Sequence, residues 1–187
     1  MTNQSLSPRT CSGHSSRWMG HLTKWSAATL VCLLSATALG QIPRPLPPVR
    51  AHPIRAWEAN DHGVKMAESG DMQNALSAFG LAIQWAPHYS AALSNRGITW
   101  HRLGNTRAAL RDLNRSIEIK PSAAAHFNRG NVWLDAQMPE RAVADFTAAF
   151  KLDPQRQHLL QRSIAWHSLR RYELAKADFD AAQKMKR

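Results

Sequence analysis

Histidine is the residue type in this sequence best suited to catalysis or metal binding, and His101 is the main candidate. It follows Trp100 in the stretch GITWHRLGN, residues 97–105. A histidine beside an aromatic ring can act as a general base or a metal ligand, because its unperturbed pKa lies near neutral pH. Either role needs partners, namely a nucleophile with an orienting group or further metal ligands. The fold around His101 therefore decides what it can do.

The stretch around His101 recurs at a fixed period. GVKMAESG at 63, GITWHRLG at 97, GNVWLDAQ at 130 and SIAWHSLR at 163 are spaced by 34, 33 and 33 residues. Other columns, meaning positions that are equivalent from one unit to the next, recur at the same spacing. A period near 34 residues is typical of stacked supersecondary units. These columns are Ala75, Ala109, Ala142 and Ala175; Phe79, Leu113, Phe146 and Phe179; Ala82, Ser116, Ala149 and Ala182; and Pro87, Pro121 and Pro154.

Each unit is predicted to be a helical hairpin. In the second unit, apolar residues at helical spacing occur before and after the turn signal Gly104-Asn105, and Pro121 lies where the second helix must end. Gly97 lies inside the first helix, where glycine costs about 1 kcal/mol relative to alanine. Close approach of the two helix backbones at Gly97 and Ala109 would offset that cost.

At these residues the sequence resembles the tetratricopeptide repeat family, whose pattern runs W-x2-L-G-x2-Y, then A-x3-F, then P. The resemblance implies an all-α fold, an α-solenoid of four tetratricopeptide-type helical hairpins. The sequence departs from the pattern at Ser163, in the column of the close-contact glycine, and at Gln137, in the column of the turn glycine. The four units are 56–89, 90–122, 123–155 and 156–187.

Tryptophan replaces the tyrosine of the family pattern in three units, at Trp100, Trp133 and Trp166. An exposed aromatic stripe could stack on bases or sugars. This column faces the partner helix of its own hairpin, however, so we expect core residues here, with Trp100 and Leu113 filling the space beside Gly97.

His101 and His167 occupy the same column two units apart. Packed helices lie about 8–10 Å apart, which separates the two rings by roughly 20 Å or more. Zinc needs its nitrogen ligands at about 2.0–2.1 Å, so the two histidines cannot share a metal. No serine or carboxylate pair at repeat-matched spacing is expected to orient either ring as a base. The sequence therefore predicts no enzyme activity, no metal and no cofactor.

The resemblance implies that the first helices of successive units line a concave groove for an extended peptide or a partner helix. Asn95 and Asn128 are the best candidates to bind a peptide backbone, because a side-chain amide both donates and accepts hydrogen bonds. The alternative is that they only bridge neighbouring repeats. Carried over column by column, the groove residues are Asn60, Ser94, Asn95, Ile98, His101, Arg102, Phe127, Asn128, Asn131, Leu160, Gln161 and Ile164, beside Asp61, Val64, Glu68, Asp135 and His167.

One subset of the family clamps the carboxyl-terminal acid of heat-shock chaperones with lysines, an arginine and asparagines in this groove. The resemblance implies that this clamp is missing here, because only Asn95 matches. The corresponding columns hold Asn60, Val64, Asn95, Ala124 and Asn128.

The basic charge of the chain does not point to nucleic acid. The formal net charge is +11, but the first and third units are net acidic and the second and fourth net basic. Such alternation fits an acidic partner surface or end-to-end association of like chains better than a continuous phosphate track. The row Arg107, Arg111 and Arg115 is expected to be a solvated face, with anionic lipid or an acidic protein as the alternative.

Residues 1–40 have the layout of a secretory signal. A basic head precedes 19 residues without a charge, WSAATLVCLLSATALGQIP, and no acid occurs among residues 1–40. Small residues allow cleavage after Ala38 or Gly40. Met19 offers an alternative start to Met1, and its use would leave residues 1–18 untranslated. The competing interpretation is an uncleaved membrane anchor, since about 20 apolar residues can span a bilayer.

Residues 41–55, QIPRPLPPVRAHPIR, contain five prolines and predict an extended spacer of about 45 Å. The only cysteines, Cys11 and Cys32, lie in the leader. A processed protein would therefore contain no disulfide, thiolate nucleophile or cysteine metal site.

Together these patterns predict a non-enzymatic adaptor or assembly factor outside the cytoplasm, which binds a protein or peptide in the groove of the 56–187 array. The alternative is a membrane-tethered scaffold that keeps its anchor. Membrane contact is expected only if the leader is retained. Self-association is compatible with the charge pattern, and nucleic acid is not an expected partner.

Overall fold

The computed structural model describes residues 52–185, and this part of the chain contains eight α-helices and no strand. The predicted leader, 1–40, and most of the predicted spacer lie outside the described residues. None of the helices in this range has the length and apolar character needed to traverse a bilayer. The helices are α1 (Pro53–Glu68), α2 (Met72–Trp85), α3 (Ser90–Arg102), α4 (Thr106–Ile119), α5 (Ala123–Asp135), α6 (Pro139–Leu152), α7 (Arg156–Ser168) and α8 (Tyr172–Lys184).

The four predicted hairpins are all present, and the predicted α-solenoid is confirmed. Each helix packs against the helix before it and the helix after it. The first helices of the units, α1, α3, α5 and α7, also contact one another in order. Within the described residues, successive second helices make no such contact. The first helices are therefore closer together, so they form the inner, concave side of the array.

Helix α1 begins earlier than the sequence indicated. We expected spacer up to Arg55 and the first unit from Ala56, whereas the helix starts at Pro53. Proline is tolerated in the first turn because the N–H that it lacks has no intrahelical acceptor there. The backbone N–H of His52 donates to the carbonyl oxygen of Trp85 at 3.1 Å, which ties the start of α1 to the end of α2.

Side chains cap the second helices of the first two units. Asp71 accepts a hydrogen bond from the Asn74 N–H, and Asn105 accepts one from the Ala108 N–H. Such caps satisfy backbone donors that have no partner within the helix. Side-chain and backbone hydrogen bonds from Asn74 also lower the pKa of the Asp71 carboxyl from its ordinary value.

The turn before each second helix needs a left-handed backbone. Gly70 and Gly104 adopt φ angles of 88° and 78°, while Gln137 and Arg170 adopt 59° and 57° at the same position of the later units. A non-glycine residue in this region costs roughly 1–2 kcal/mol, because its Cβ approaches the neighbouring carbonyl oxygen. Gln137 therefore makes the turn less stable than a glycine would, but the backbone conformation of the turn is the same.

The predicted close contact at Gly97 is confirmed. A Cβ built on Gly97 would lie 2.8 Å from Cγ of Leu113 and 3.3 Å from the carbonyl oxygen of Ala109. In the third unit, a Cβ on Gly130 would lie 2.6 Å from Cε1 of Phe146. The glycine in the first helix therefore makes room for the large residue of the second helix.

The tryptophan column is less buried than predicted. Trp100 packs beside Leu113, and Trp133 packs beside Phe146, but both tryptophans are only partly buried. The guanidinium of Arg141 lies over the Trp133 ring, 4.6 Å from its centroid. The fully buried large residues are instead Phe79, Leu113 and Phe146, in one column of the second helices, together with Leu93 and Val132 on first helices.

The fourth unit also departs from the expected core. Phe179 is 48% exposed, whereas Phe146 in the same column is fully buried. The physical reason is that, among the described residues, no helix packs on the outer side of α8. In addition, Ser163 stands where other units have a glycine, so its Cβ and hydroxyl occupy space that the phenylalanine ring would otherwise enter.

Two glycine substitutions with opposite expected effects test this packing. Gly130→Ala is expected to destabilise the protein by about 1–3 kcal/mol, because the Phe146 ring must move. Gly80→Ala is the matched control, since a Cβ added there meets nothing within 4 Å. It is expected to stabilise the protein by up to about 1 kcal/mol. Urea unfolding measures both changes, and shifts of the same sign and size would contradict the close contact.

Candidate functional site

The predicted groove residues of the first two units line a shallow cavity of about 170 Å³ between α1 and α3. Its wall is apolar around Val64 and Ile98. Glu68 and Arg102, near the carboxyl ends of their helices, place one negative and one positive charge at its edge. The complete lining is Val64, Ala67, Glu68, Phe79, Asn95, Ile98, Thr99 and Arg102.

A second cavity of about 250 Å³ lies beside the first, between α3 and α5. Asn95 lines both cavities, so it stands at the junction between them. The lining of the second cavity is mostly small and polar, with Lys120 as its charged member. It consists of Ser90, Ala91, Ser94, Asn95, Ser116, Lys120, Ser122 and Ala124.

Asn95 forms a bridge between the first two units. Its Nδ2 donates to Oδ1 of Asn60 at 3.0 Å. In the described structure, the second N–H and the amide oxygen of Asn95 form no further side-chain hydrogen bond. Asn128 occupies the same column one unit later, but its neighbour is Ser94 and no equivalent bond joins them there. Of the two asparagines, only Asn95 thus bridges repeats, and it keeps polar atoms for another partner.

His101 has a carboxylate partner that the sequence analysis missed. Its Nε2 lies 2.7 Å from Oδ2 of Asp135, 34 residues later on α5. The expectation that no serine or carboxylate pair at repeat-matched spacing would orient His101 as a base did not anticipate this single carboxylate. The Asp135 side chain is largely exposed, so the pair contributes little stability. Its geometric effect is to join the second and third units across the groove.

His167 has different surroundings from His101, although both occupy one column. Its ring meets the ring of Tyr172 edge to face, with centroids 5.3 Å apart. Within residues 52–185, no group of three or more histidine, cysteine or acidic side chains is arranged to hold a metal ion.

The remaining predicted groove residues divide by burial. Ser94 is buried, and Phe127 packs against Phe146 and His158, with ring centroids 5.7 and 5.1 Å apart. These two residues form part of the framework under the groove. Arg102 and Ile164 are exposed, and the half-buried members are Asn60, Ile98, Asn128, Asn131, Leu160 and Gln161.

A ladder of ion pairs lies behind the groove, and it was also missed. In each of the last three units, an arginine on the first helix makes two hydrogen bonds of 2.7–3.0 Å to an aspartate 16 residues later on the second helix. Both columns recur every 33 residues, which is the signal that could have revealed them. The pairs are Arg96 with Asp112, Arg129 with Asp145, and Arg162 with Asp178.

Two of these arginines also bond to the preceding unit. Nη1 of Arg129 donates to Oδ1 of Asn114 at 2.8 Å, and Nη1 of Arg162 donates to Oγ1 of Thr147 at 3.1 Å. Within the described residues, every buried side-chain nitrogen and oxygen has a hydrogen-bond partner. The ladder therefore holds the first helices, which carry the groove side chains, at a defined angle to the second helices.

Comparison with known proteins agrees with this architecture. The family model for the tetratricopeptide repeat matches residues 123–156, which begin at the start of α5 and include all of α6. The third hairpin, α5–α6, is therefore a tetratricopeptide repeat. The hairpins α1–α2, α3–α4 and α7–α8 have the same helical-hairpin form.

Curated tetratricopeptide relatives match part of the chain. It is 38% identical over 65 residues to the tetratricopeptide repeat protein 36 homolog of Nematostella vectensis, covering 35% of this chain and 36% of that protein. It is 40% identical over 57 residues to human tetratricopeptide repeat protein 36, covering 30% of each chain. The matched region thus spans about a third of the length of these relatives.

Solved structures share the fold. MamA superposes with a TM-score of 0.66 at 16% identity, over 72% of this chain and 80% of MamA. The first TPR of Spaghetti (RPAP3), bound to the HSP90 peptide SRMEEVD, gives 0.58 at 22% identity, over 69% and 98%. Thermobaculum terrenum O-GlcNAc transferase gives 0.59 at 27% identity, over 61% of this chain and 22% of the transferase. The tetratricopeptide fold thus occurs both in binding modules and within an enzyme.

Proposed function

We propose that the protein is a non-enzymatic adaptor that holds an extended peptide segment of a partner protein in the groove formed by α1, α3, α5 and α7. The observation that carries this proposal is the cavity between α1 and α3. Val64 and Ile98 provide an apolar wall for one side chain of the peptide. Asn95 places an amide beside that wall, where it can pair with the peptide backbone.

The chemistry of the groove favours an internal peptide segment over a free carboxyl terminus. The RPAP3 tetratricopeptide structure contains an HSP90 peptide. In the present chain, the columns that would clamp a terminal carboxylate hold Asn60, Val64 and Ala124, none of which is a cation. The cavity between α1 and α3 has one anion and one cation at its edge, Glu68 and Arg102. We therefore propose a segment with an aliphatic residue flanked by polar residues.

Groove binding can be tested with peptides selected by display against the full-length protein. Ile98→Glu places a charge in the apolar wall and is expected to weaken selected peptides by about tenfold or more. Asn95→Ala is expected to weaken the same peptides, because it removes the amide. Fluorescence anisotropy with labelled peptides measures both effects.

The matched control for this experiment is Leu81→Glu. Leu81 is 46% exposed on α2 and lines neither groove cavity, so its substitution adds the same charge outside the groove. Peptide affinity is expected to match that of the parent protein. Unchanged binding by Ile98→Glu, or an equal loss with Leu81→Glu, would show that the groove is not the binding site.

We propose further that the protein acts outside the cytoplasm, on the strength of the signal-like layout of residues 1–40. The alternative is a scaffold tethered to the membrane by the same segment. Amino-terminal sequencing of the protein from its native host separates the two. A start at Leu39 or Gln41 supports export with cleavage, and an intact leader supports the tethered scaffold instead.

A further inference from the structure

The cavity between α3 and α5 contains a buried serine whose hydroxyl has no partner. Ser94 lines this cavity and is only 9% exposed. The hydroxyl of Ser116, in the same lining, donates to the carbonyl oxygen of Ser90 at 2.8 Å, but the Ser94 hydroxyl forms no hydrogen bond within the described residues. It is not among the fully shielded polar atoms, which all have partners there, so it is open to the cavity. It can therefore bond to a polar ligand in the cavity.

Lys120 gives the same cavity a single positive charge. It follows the last residue of α4 and is exposed, and it forms no ion pair with any described residue. The other lining residues are four serines, two alanines and one asparagine, so no acidic side chain of the lining opposes this charge. The cavity thus combines one cation with hydroxyl and amide donors, which is the chemistry that binds an anion.

The start of α3 adds to this preference for an anion. The helix begins at Ser90, and in the described part of the chain no side chain caps it. Ser90 and Ala91, in its first turn, both line the cavity. The first N–H groups of a helix have no intrahelical acceptor and carry partial positive charge. The uncapped helix start, Lys120 and the open Ser94 hydroxyl therefore favour the same kind of ligand.

Packing of the array does not require this polar and basic lining. Helices α5 and α7 contact each other as α3 and α5 do, and the helix between them packs on both. The residues 33 positions later in the chain have different chemistry, with no serine and no cation. They are Ala123, Phe127, Ala149 and Asp153, in place of Ser90, Ser94, Ser116 and Lys120. The same fold thus forms with an apolar and acidic set, so the lining of the α3–α5 cavity is free to serve a ligand.

We propose that the α3–α5 cavity binds the side-chain carboxylate of an aspartate or glutamate in the peptide that occupies the groove. This inference rests on the proposed function and adds a charge requirement to it. Lys120 pairs with the carboxylate, and the Ser94 hydroxyl donates a hydrogen bond to one of its oxygens. The single charge of a carboxylate matches the one lysine, whereas a phosphate group carries about −1.5 to −2. Lys120 stands at the end of a second helix, outside the columns that carry the chaperone-tail clamp.

The positions of the two groove cavities set the spacing of residues in the peptide. Ile98 lines the cavity between α1 and α3, and Ser94 lines the cavity between α3 and α5. These residues are one helical turn apart, about 6 Å along α3. An extended peptide covers that distance in about two residues, and side chains two residues apart lie on the same side. The acidic residue is therefore expected about two positions from the aliphatic residue.

Fluorescence anisotropy with peptides amidated at the carboxyl terminus tests the charge requirement. Peptides selected by display against the full-length protein are expected to contain an acidic residue near their aliphatic residue. Replacing that residue by its amide counterpart is expected to weaken binding about fivefold or more, and high salt is expected to reduce the difference. A peptide whose only carboxylate is its free carboxyl terminus is expected to bind more weakly than the amidated acidic peptide. The reverse order, or selected groove peptides without an acidic residue, would overturn the inference.

Substitutions in the protein test the two proposed contacts separately. Lys120→Gln is expected to weaken the acidic peptide about fivefold and to leave its amide counterpart unchanged, because the lost interaction needs both charges. Ser94→Ala is expected to weaken the acidic peptide about threefold, yet to unfold at the same urea concentration as the parent protein, since its hydroxyl has no partner in the described structure. Lys151→Gln is the control, because Lys151 is exposed on α6 and lines neither groove cavity. It is expected to bind both peptides like the parent protein.

These measurements separate the carboxylate site from the groove function itself. Peptides that lose affinity with Ile98→Glu but not with Lys120→Gln would overturn the carboxylate site and leave the groove function in place. Equal losses of the acidic peptide and its amide counterpart with Lys120→Gln would also overturn the site, since the lysine then does not pair with the carboxylate. Peptides that are insensitive to Ile98→Glu, or a selection that yields no binding peptide, would overturn both proposals together.

Discussion

Replacing Asp145 by alanine is expected to cost about 3 kcal/mol of unfolding free energy, near the lower end of the range for breaking a buried ion pair. The Asp145 carboxylate accepts two hydrogen bonds from Arg129, at 2.7 and 2.8 Å, and lies 2.9 Å from Nδ1 of His126. Its removal takes this partner from the imidazole and leaves the guanidinium with only its hydrogen bond to Asn114. The cost stays near the lower end because the Arg129 side chain is 22% exposed and water reaches part of it. Urea unfolding at neutral pH measures the change.

The matched control is Asp178→Ala in the fourth unit. Asp178 pairs with Arg162 through the same two hydrogen bonds, and Arg162 also bonds to the preceding unit as Arg129 does, but Leu159 stands in the column of His126. We expect this substitution to cost about 1 kcal/mol less than Asp145→Ala, since one fewer polar group loses its partner. Equal losses would show that His126 contributes nothing to the stability of the third unit.

Replacing Phe146 by alanine is expected to cost about 3–5 kcal/mol, as for a fully buried aromatic residue. Phe146 is inaccessible to solvent and packs with Ala142 and Ala165, so truncation leaves a cavity between the third and fourth units. Trp133→Ala is expected to cost roughly half as much, because Trp133 is only partly buried. The larger side chain should therefore give the smaller effect.

Phe179→Ala provides the control with the same residue type in the same repeat column. Because Phe179 is exposed on α8, its truncation should shift stability by less than about 1 kcal/mol. Thermal or urea unfolding of the three variants gives the order directly. A greater loss of unfolding free energy for Trp133→Ala than for Phe146→Ala would show that the tryptophan column forms the core, as the sequence predicted.

The ion-pair ladder connects stability to the groove. Its arginines lie on α3, α5 and α7, the helices that also carry most of the groove residues, and its aspartates lie on α4, α6 and α8. A bidentate arginine–carboxylate pair fixes distance and orientation together. The ladder therefore holds the first helices in place while their opposite faces stay open to a partner. The first unit has His62 and Ala78 in these columns and lacks the pair.

Contacts within one hairpin were predictable from the sequence. Helical spacing, the turn signals and the column of glycines placed Gly97 against Ala109 and Leu113, and the structure has that contact. These features depend on short-range geometry, because the two helices of a hairpin are joined by a turn of a few residues. A small residue facing a large residue at fixed spacing leaves few ways to pack.

Contacts between units depended on the tertiary structure. The bond of Asn95 to Asn60 and the pair of His101 with Asp135 join neighbouring columns in different repeats, so no single column of the sequence reveals them. They form because each hairpin is rotated slightly relative to the last, which shifts the register across the groove.

The sequence by itself determined the repeat period, the helical hairpins and the solenoid, because periodic patterning alone specifies which faces must be buried. Only the tertiary structure decided how deeply each large residue is buried and which end surfaces stay open. Phe146 and Phe179 occupy the same column, yet one is covered by the next unit and the other is exposed. Burial depends on what packs against a face, and a repeat pattern is the same whether or not a neighbour follows.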